Sequence, residues 1–229
     1  MVTSVRQIAG DTIGVLDLQG DVAEHLDHLE RLGIAAVRIK EASGLVHLAG
    51  LIIPGGESTC LARLLDIFGI KDRLLREFQR GLKLWGTCAG AILLADKVVG
   101  EEPFLPLIDI EIQRNAFGSQ LDSFVSEALI PRVAPDPMPL TFIRAPKITR
   151  VGKGVDVLLR QDDYIAAAEN PSVLVTVFHP EMTPSLVFHR YFALKCGLAP
   201  SIDQKSSLID STWDSRSWTR YTRLTQPEN

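Results

Sequence analysis

Short apolar runs alternate with longer amphipathic stretches through the first half of the chain. Thr12-Ile13-Gly14-Val15-Leu16-Asp17-Leu18 is mostly apolar on both faces and predicts a buried first strand. After Gln19-Gly20, Asp21 stands at a helix N-cap position, Val22, Leu26, Leu29 and Leu32 recur at helical spacing, and Gly33 stops the helix. His25 and His28 fall off that stripe, which places them on a solvated face. Residues 34–39 and 50–53 predict the second and third strands. Leu61, Leu64, Leu65 and Phe68 then mark a helix capped by Ser58 or Thr59, and residues 74–78 continue it. Strands and helices alternating at this short spacing imply a parallel sheet with helices on its faces.

The middle of the chain changes character. Residues 107–112, 123–130, 140–143, 155–160 and 164–168 read as short strands separated by Gly, Pro and Asp clusters. They predict antiparallel strands added to the core sheet, with residues 131–139, which hold four prolines, forming an exposed loop. Residues 173–178 form the last strong apolar strand and residues 185–196 a closing helix. From residue 199 the pattern fails, so the expected division is a domain over residues 1–198 and a tail over 199–229 that is loosely packed or disordered.

Chemistry enters at residues 82–95, where a buried-strand run meets Gly86-Thr87-Cys88-Ala89-Gly90 and an Ala/Leu-rich helix follows. This is a nucleophile elbow carrying cysteine, in which a sharp strand-to-helix turn lifts the nucleophile above the sheet edge. Gly86 and Gly90 leave room where a Cβ would clash and can take the positive φ that a tight turn calls for, and the helix N-terminus favours a thiolate over a thiol. His179 ends the last apolar strand, which brings it to the same carboxyl edge of the sheet. If the chain stays extended through Pro180, Glu181 points the same way and can orient the imidazole, giving a Cys88-His179-Glu181 triad. Two glycines and a carboxylate, Gly55, Gly56 and Glu57, follow the third strand. A glycine N–H there and the Ala89 N–H supply the two donors an oxyanion needs. Chemistry alone therefore points to acyl transfer or hydrolysis through a thioester and leaves the substrate open. His47, His189, Cys60 and Cys196 lack a comparable setting and read as structural.

Composition narrows the setting without changing this picture. A formal charge of −4 with scattered Lys and Arg gives no reason to expect a nucleic acid or membrane partner. Three widely spaced cysteines exclude a disulfide framework and a cysteine-based zinc site, and fit a reducing compartment. With no signal-like N-terminus and no apolar run near ~18 residues, a cytoplasmic location is expected.

Together, Pro54-Gly55-Gly56-Glu57-Ser58-Thr59, Gly86-Thr87-Cys88-Ala89-Gly90 and His179-Pro180-Glu181 resemble the class I, triad-type glutamine amidotransferases. Leu18-Gln19-Gly20, Arg114-Asn115-Ala116-Phe117-Gly118-Ser119-Gln120 and Phe142-Ile143-Arg144-Ala145-Pro146 narrow the resemblance to the glutaminase subunits of pyridoxal 5′-phosphate synthases, over roughly residues 12–197. The resemblance implies a flavodoxin-like α/β fold of three layers, with a mostly parallel central sheet. It implies that Cys88, His179 and Glu181 hydrolyse glutamine, that Gly55, Gly56, Glu57, Arg114, Ile143 and Arg144 hold it, and that Gly56 and Ala89 form the oxyanion site. No cofactor or metal is implied. The implied partner is a (βα)8-barrel synthase subunit in a hetero-oligomer, which uses the ammonia and contacts the region around Gln19. Asp17 replaces a small residue of that family, and Asp21 adds a second charge beside the same contact. A glutaminase serving another synthase, a cysteine hydrolase of related fold or a non-catalytic partner-binding subunit would share the fold; Arg114-Asn115 and residues 142–146 argue against the first two and the intact triad against the third.

Overall fold

The computed structural model describes residues 10–114 and 123–201. Strand β1 (Thr12–Leu16) leads into helix α1 (Val22–Arg31), then β2 (Ala36–Ile39) and β3 (Leu48–Ile53). Helix α1 ends as expected: Gly33 takes φ +67°, and the N–H groups of Gly33 and Ile34 return to the carbonyls of Glu30 and Leu29. Helices α2 (Ser58–Ile67) and α3 (Ile70–Gln79) are separate, because Gly69 at φ +61° breaks the path between them. The cap of α2 is neither Ser58 nor Thr59. Glu57 holds that position, and its carboxylate accepts from Cys60 N–H at 2.7 Å.

Strand β4 (Lys83–Thr87) runs into α4 (Ala89–Leu94), followed by β5 (Ala95–Val98), β6 (Ile108–Gln113), β7 (Ser123–Ala128), β8 (Met138–Ile143), β9 (Lys147–Val151), β10 (Asp156–Gln161), β11 (Tyr164–Glu169), β12 (Val173–Thr176) and α5 (Val187–Lys195). The main sheet has the order β2-β1-β3-β4-β12-β11-β9-β6-β5, with β10 paired to β11. Neighbours from β2 to β12 are parallel, and β12, β11, β9 and β6 continue it antiparallel. This is the α/β architecture the alternation predicts, with antiparallel strands added at one side. Parallel β12 is buried at every position, as a strand covered on both faces must be.

Three details differ from the sequence reading. Strands β7 and β8 form a hairpin of their own instead of extending the main sheet. It is fastened to the core by Phe142, which stacks on Phe124 at 4.6 Å and meets Phe178 at 5.5 Å. Strands β5 and β9 were not anticipated, since Ala-Asp-Lys-Val and Lys-Ile-Thr-Arg-Val carry too few apolar residues to show a strand period. Within the proline-rich loop, Val133 and Ala134 are buried rather than exposed. Of the 199–229 tail, Ser201 docks on α1 through bonds to the Leu32 carbonyl, and residues 202–229 lie outside the described residues. No helix among the described residues is long and apolar enough to cross a membrane.

Candidate active site

Sheet order explains why distant motifs meet. Strand β4 lies between β3 and β12, with Ile53 opposite Gly86 and Thr176 opposite Thr87. The turn after β3, the elbow after β4 and the segment after β12 therefore emerge side by side at one carboxyl edge. Cys88 is held by its own N–H to the Thr176 carbonyl at 2.8 Å, while its carbonyl accepts from Ala91 and Ile92. Its backbone sits at φ +46°, ψ −102°, a conformation that costs an L-residue of order 1–3 kcal/mol and persists only when the surroundings impose it. The positive φ thus falls on the cysteine. Gly86 and Gly90 serve by closeness: a Cβ on Gly90 would overlap the Ile53 carbonyl, and one on Gly86 would press on the Gly90 backbone.

His179 and Glu181 come together by a route other than the extended one. The chain turns at once into a single 3-10 turn, Pro180–Met182, and the turn brings the Glu181 carboxylate to 2.7 Å from His179 Nδ1. The hairpin grips this segment from the other side, since His179 N–H donates to the Thr141 carbonyl at 2.7 Å. All three residues are buried, Glu181 completely. Burial alone would pull the His179 pKa down, but Glu181, the charge on Cys88 and a bond to Asp21 outweigh it and hold the imidazole well above its ordinary value. Burial raises the Glu181 carboxyl, against the pull of His179.

Two expectations for α1 are corrected. Asp21 occupies the N-cap position yet makes no side-chain capping bond; its carboxylate lies 3.4 Å from His179 Nδ1 instead. Asp21, His179 and Glu181 are the one cluster among the described residues with donor atoms close enough to hold a cation, and His179 Nδ1 is already taken by Glu181. His25 and His28 are not on a solvated face: they are 0% and 1% exposed. The stripe of Val22 and Leu29 is only part of the buried face, because α5 covers the turn that carries both histidines.

A cavity of about 300 Å³ opens at Cys88, lined by Gly56, Glu57, Arg114, Ile143, Arg144 and His179 among others. A Cβ on Gly55 would run into His179 Cε1 and approach Cys88 Cβ to 3.4 Å, so this glycine is what lets the imidazole close on the sulfur. Gly56 takes φ +133°, and a side chain there would strike Gln19. Gln19 Nε2 in turn donates to the Glu57 carbonyl at 3.2 Å, bracing the loop from within the molecule. Arg114 reaches back from the end of β6 to Glu57 at 3.2 Å and Glu101 at 2.7 Å. The bond from Cys60 N–H, with help from Arg114, keeps Glu57 below the usual carboxylate range. Arg144 stands at φ +44° beside Ile143 at the end of β8. Residues 115–120 lie outside the described residues. Asp17 is paired with Arg38 and Lys40. Sequence reasoning missed Glu101 and the aim of Asp21; neither sits in a motif, and only the sheet order brings them to the site.

Comparisons with known proteins bear on the fold and the family. The model of the SNO glutamine amidotransferase family matches residues 15–197. "Pyridoxal 5′-phosphate synthase subunit PdxT" of Syntrophus aciditrophicus is 60% identical over 210 residues, covering 92% of this chain and 94% of the relative. The protein of the same name from Clostridium botulinum is 50% identical over 182 residues, 79% of this chain and 94% of the relative. A solved structure described as a glutamine amidotransferase superposes with a TM-score of 0.76 at 42% identity, covering 81% of this chain and 99% of the other. PurLQS from Thermotoga maritima, at 16% identity and a TM-score of 0.64, shares the fold. The chain belongs to the SNO glutamine amidotransferase family.

Proposed function

We propose that this protein hydrolyses L-glutamine to L-glutamate and ammonia through a thioester on Cys88, and delivers the ammonia to a partner synthase subunit that makes pyridoxal 5′-phosphate. The observation that carries the chemistry is the strained Cys88 elbow beside a buried His179–Glu181 pair. His179 takes the Cys88 proton, and the sulfur attacks the side-chain amide carbon of glutamine. The Ala89 and Gly56 N–H groups receive the oxyanion. His179 returns the proton to the leaving nitrogen, ammonia departs, and water then releases glutamate by the same steps.

The charges around the cavity suit an amino acid. Glu57, kept ionised, accepts the α-ammonium, and Arg114 takes the α-carboxylate in a fork. To do so Arg114 gives up Glu101, which is about half exposed and so holds it only weakly. Ile143 and Arg144 complete the far wall. Residues 1–198 act as the glutaminase unit, in the cytoplasm, and the partner is a (βα)8 barrel joined in a hetero-oligomer. Gln19 lies at that contact; because it also braces the Glu57 loop, partner binding there would bear directly on the oxyanion site.

The test is glutamate release from glutamine with and without the synthase subunit, for native protein and Cys88→Ala. Turnover that requires the partner and disappears in Cys88→Ala supports the reading; a Cys88→Ala protein with native turnover overturns it. A second prediction concerns Gly55. Gly55→Ala pushes the His179 ring off the sulfur, and a displacement near 1 Å is expected to lower turnover about 10²-fold. Kinetics of the folded variant check this, and an unchanged kcat refutes the packing role.

A further inference from the structure

Behind Glu181, on the side away from His179, the protein buries three histidines that the hydrolysis does not use. His25 Nδ1 lies 2.8 Å from His189 Nε2, and His25 Nε2 faces Glu181 Oε2 at 3.6 Å and Thr87 Oγ1 at 3.5 Å. His28 packs against His189 with ring centroids 4.5 Å apart, and Trp85 meets His25 and His189 edge-on at 5.6 and 4.9 Å. His25 and His189 are fully buried. Glu181 Oε2 and His189 Nδ1 are buried with no hydrogen-bond partner among the described residues.

These contacts decide the tautomers. If His25 carried its proton on Nδ1, it would donate to His189 Nε2. His25 Nε2 would then turn a lone pair toward the Glu181 carboxylate, and His189 would bury an orphaned Nδ1–H. With the proton on Nε2, His25 presents an N–H to Glu181 and accepts from His189 Nε2–H. Only the bare lone pair of His189 Nδ1 is left without a partner. Orphaned buried N–H groups are the rarer and costlier defect, so the second arrangement is the stable one.

We infer that His25 is a positioning residue for the triad: its Nε2–H, pinned in that tautomer by His189, steadies the second oxygen of Glu181 while His179 holds the first. The inference rests on the Cys88-His179-Glu181 reading. At 3.6 Å the approach is longer than a formed hydrogen bond, and contacts of this kind tighten when a catalytic site is engaged. Burial keeps both His25 and His189 neutral, so His25 acts through its N–H dipole without adding a cation beside His179. The groups facing Glu181 are His179 on its own turn, with Asp21 and His25 from α1. Those facing His25 are Glu181 and His179 from the turn after β12, His189 from α5, and His28 on its own helix.

The test is the pH profile of kcat/KM for glutamine, measured in the complex with the synthase subunit for native protein, His25→Phe and His25→Gln. Without the donor the Glu181 anion is less stable, so its protonation moves the acid limb up; the alkaline limb, set by His179 against a carboxylate still ionised there, does not move down. A rise of the acid limb in His25→Phe by about one pH unit, with recovery in His25→Gln, whose Nε2 stands where the histidine Nε2 stood, supports the inference. A purely structural role lowers the amplitude and leaves both limbs in place, which overturns it. If His25→Phe does not fold, the 15N chemical shifts of the native full chain decide: a His25 proton on Nδ1 overturns the inference and one on Nε2 supports it. Cys88→Ala, assayed in parallel, separates the two levels. Native turnover in that variant removes the triad and the inference together, whereas an inactive Cys88→Ala with unmoved limbs in His25→Phe removes only the part assigned to His25.

Discussion

Replacing His179 with Asn is expected to lower kcat/KM for glutamine by roughly 10³-fold or more. Asn keeps a small polar side chain that can still donate to Glu181, so the buried carboxylate is not abandoned; what disappears is the group that takes and returns the proton. The size of the effect follows from the pairing. His179 sits 2.7 Å from a fully buried carboxylate, and its charged form is favoured by Glu181 and Cys88 against the cost of burial. The variant is to be assayed in the synthase complex, with its Tm measured alongside so that lost activity is not confused with lost fold. Because Cys88 and His179 act as one unit, His179→Asn in a Cys88→Ala background should cost almost nothing further. A loss smaller than tenfold in the folded single variant would remove His179 from proton transfer.

Stability should fall steeply as the pH is lowered from 6.5 toward 5. His25, His28 and His189 all have folded pKa values depressed by burial, which for His28 outweighs the bonds to the Glu24 and Thr183 carbonyls that raise it. Below the ordinary histidine value the unfolded chain binds protons that the folded chain refuses. Stability contributed by these groups is therefore complete above about 6.5 and is lost as the pH falls toward the folded values. Three such protons give a limiting slope of about 4 kcal/mol per pH unit. His179 has the opposite sign: its folded value is raised, so its contribution is complete below 6.5 and is lost as the pH rises through the folded value. It does not offset the acid loss. The raised carboxyls of Glu24 and Glu181 do reduce the slope toward pH 4.5, since the folded state takes up those protons first. Urea unfolding at half-unit pH steps measures the effect, and His189→Phe should remove about one proton from the slope. Stability that stays flat from pH 6.5 to 5 would contradict the burial of these rings as neutral imidazoles.

These two expectations stand in different relation to the sequence. His179 was legible because strand ends in an alternating α/β chain collect on one edge, and an apolar run followed by His-Pro-Glu marks such an end. The acid-sensitive cluster was not legible. His25 and His28 fall off the leucine stripe of α1, and a stripe says which face is apolar, not which further residues another helix will cover. His189, 164 positions beyond His25, meets it only because α5 returns across α1. Glu101 reached Arg114 unannounced for the same reason.

The sequence by itself determined the parallel half of the sheet, the cysteine elbow, the glycine turn after β3 and the family, because each depends on local spacing: strand period, glycine where a Cβ cannot fit, a nucleophile one residue before a helix. Tertiary structure decided the rest. It put the positive φ on Cys88 instead of on the glycines, whose part is to let the backbone of the new helix pack against the Ile53 carbonyl. It made the His179–Glu181 pair through a 3-10 turn gripped by the β7–β8 hairpin, where the period of an extended strand suggested another route. It also turned Asp21 from a helix cap into a neighbour of the imidazole. In each case the deciding contact joins residues far apart in the chain, and no pattern of neighbouring positions encodes which distant surface will arrive.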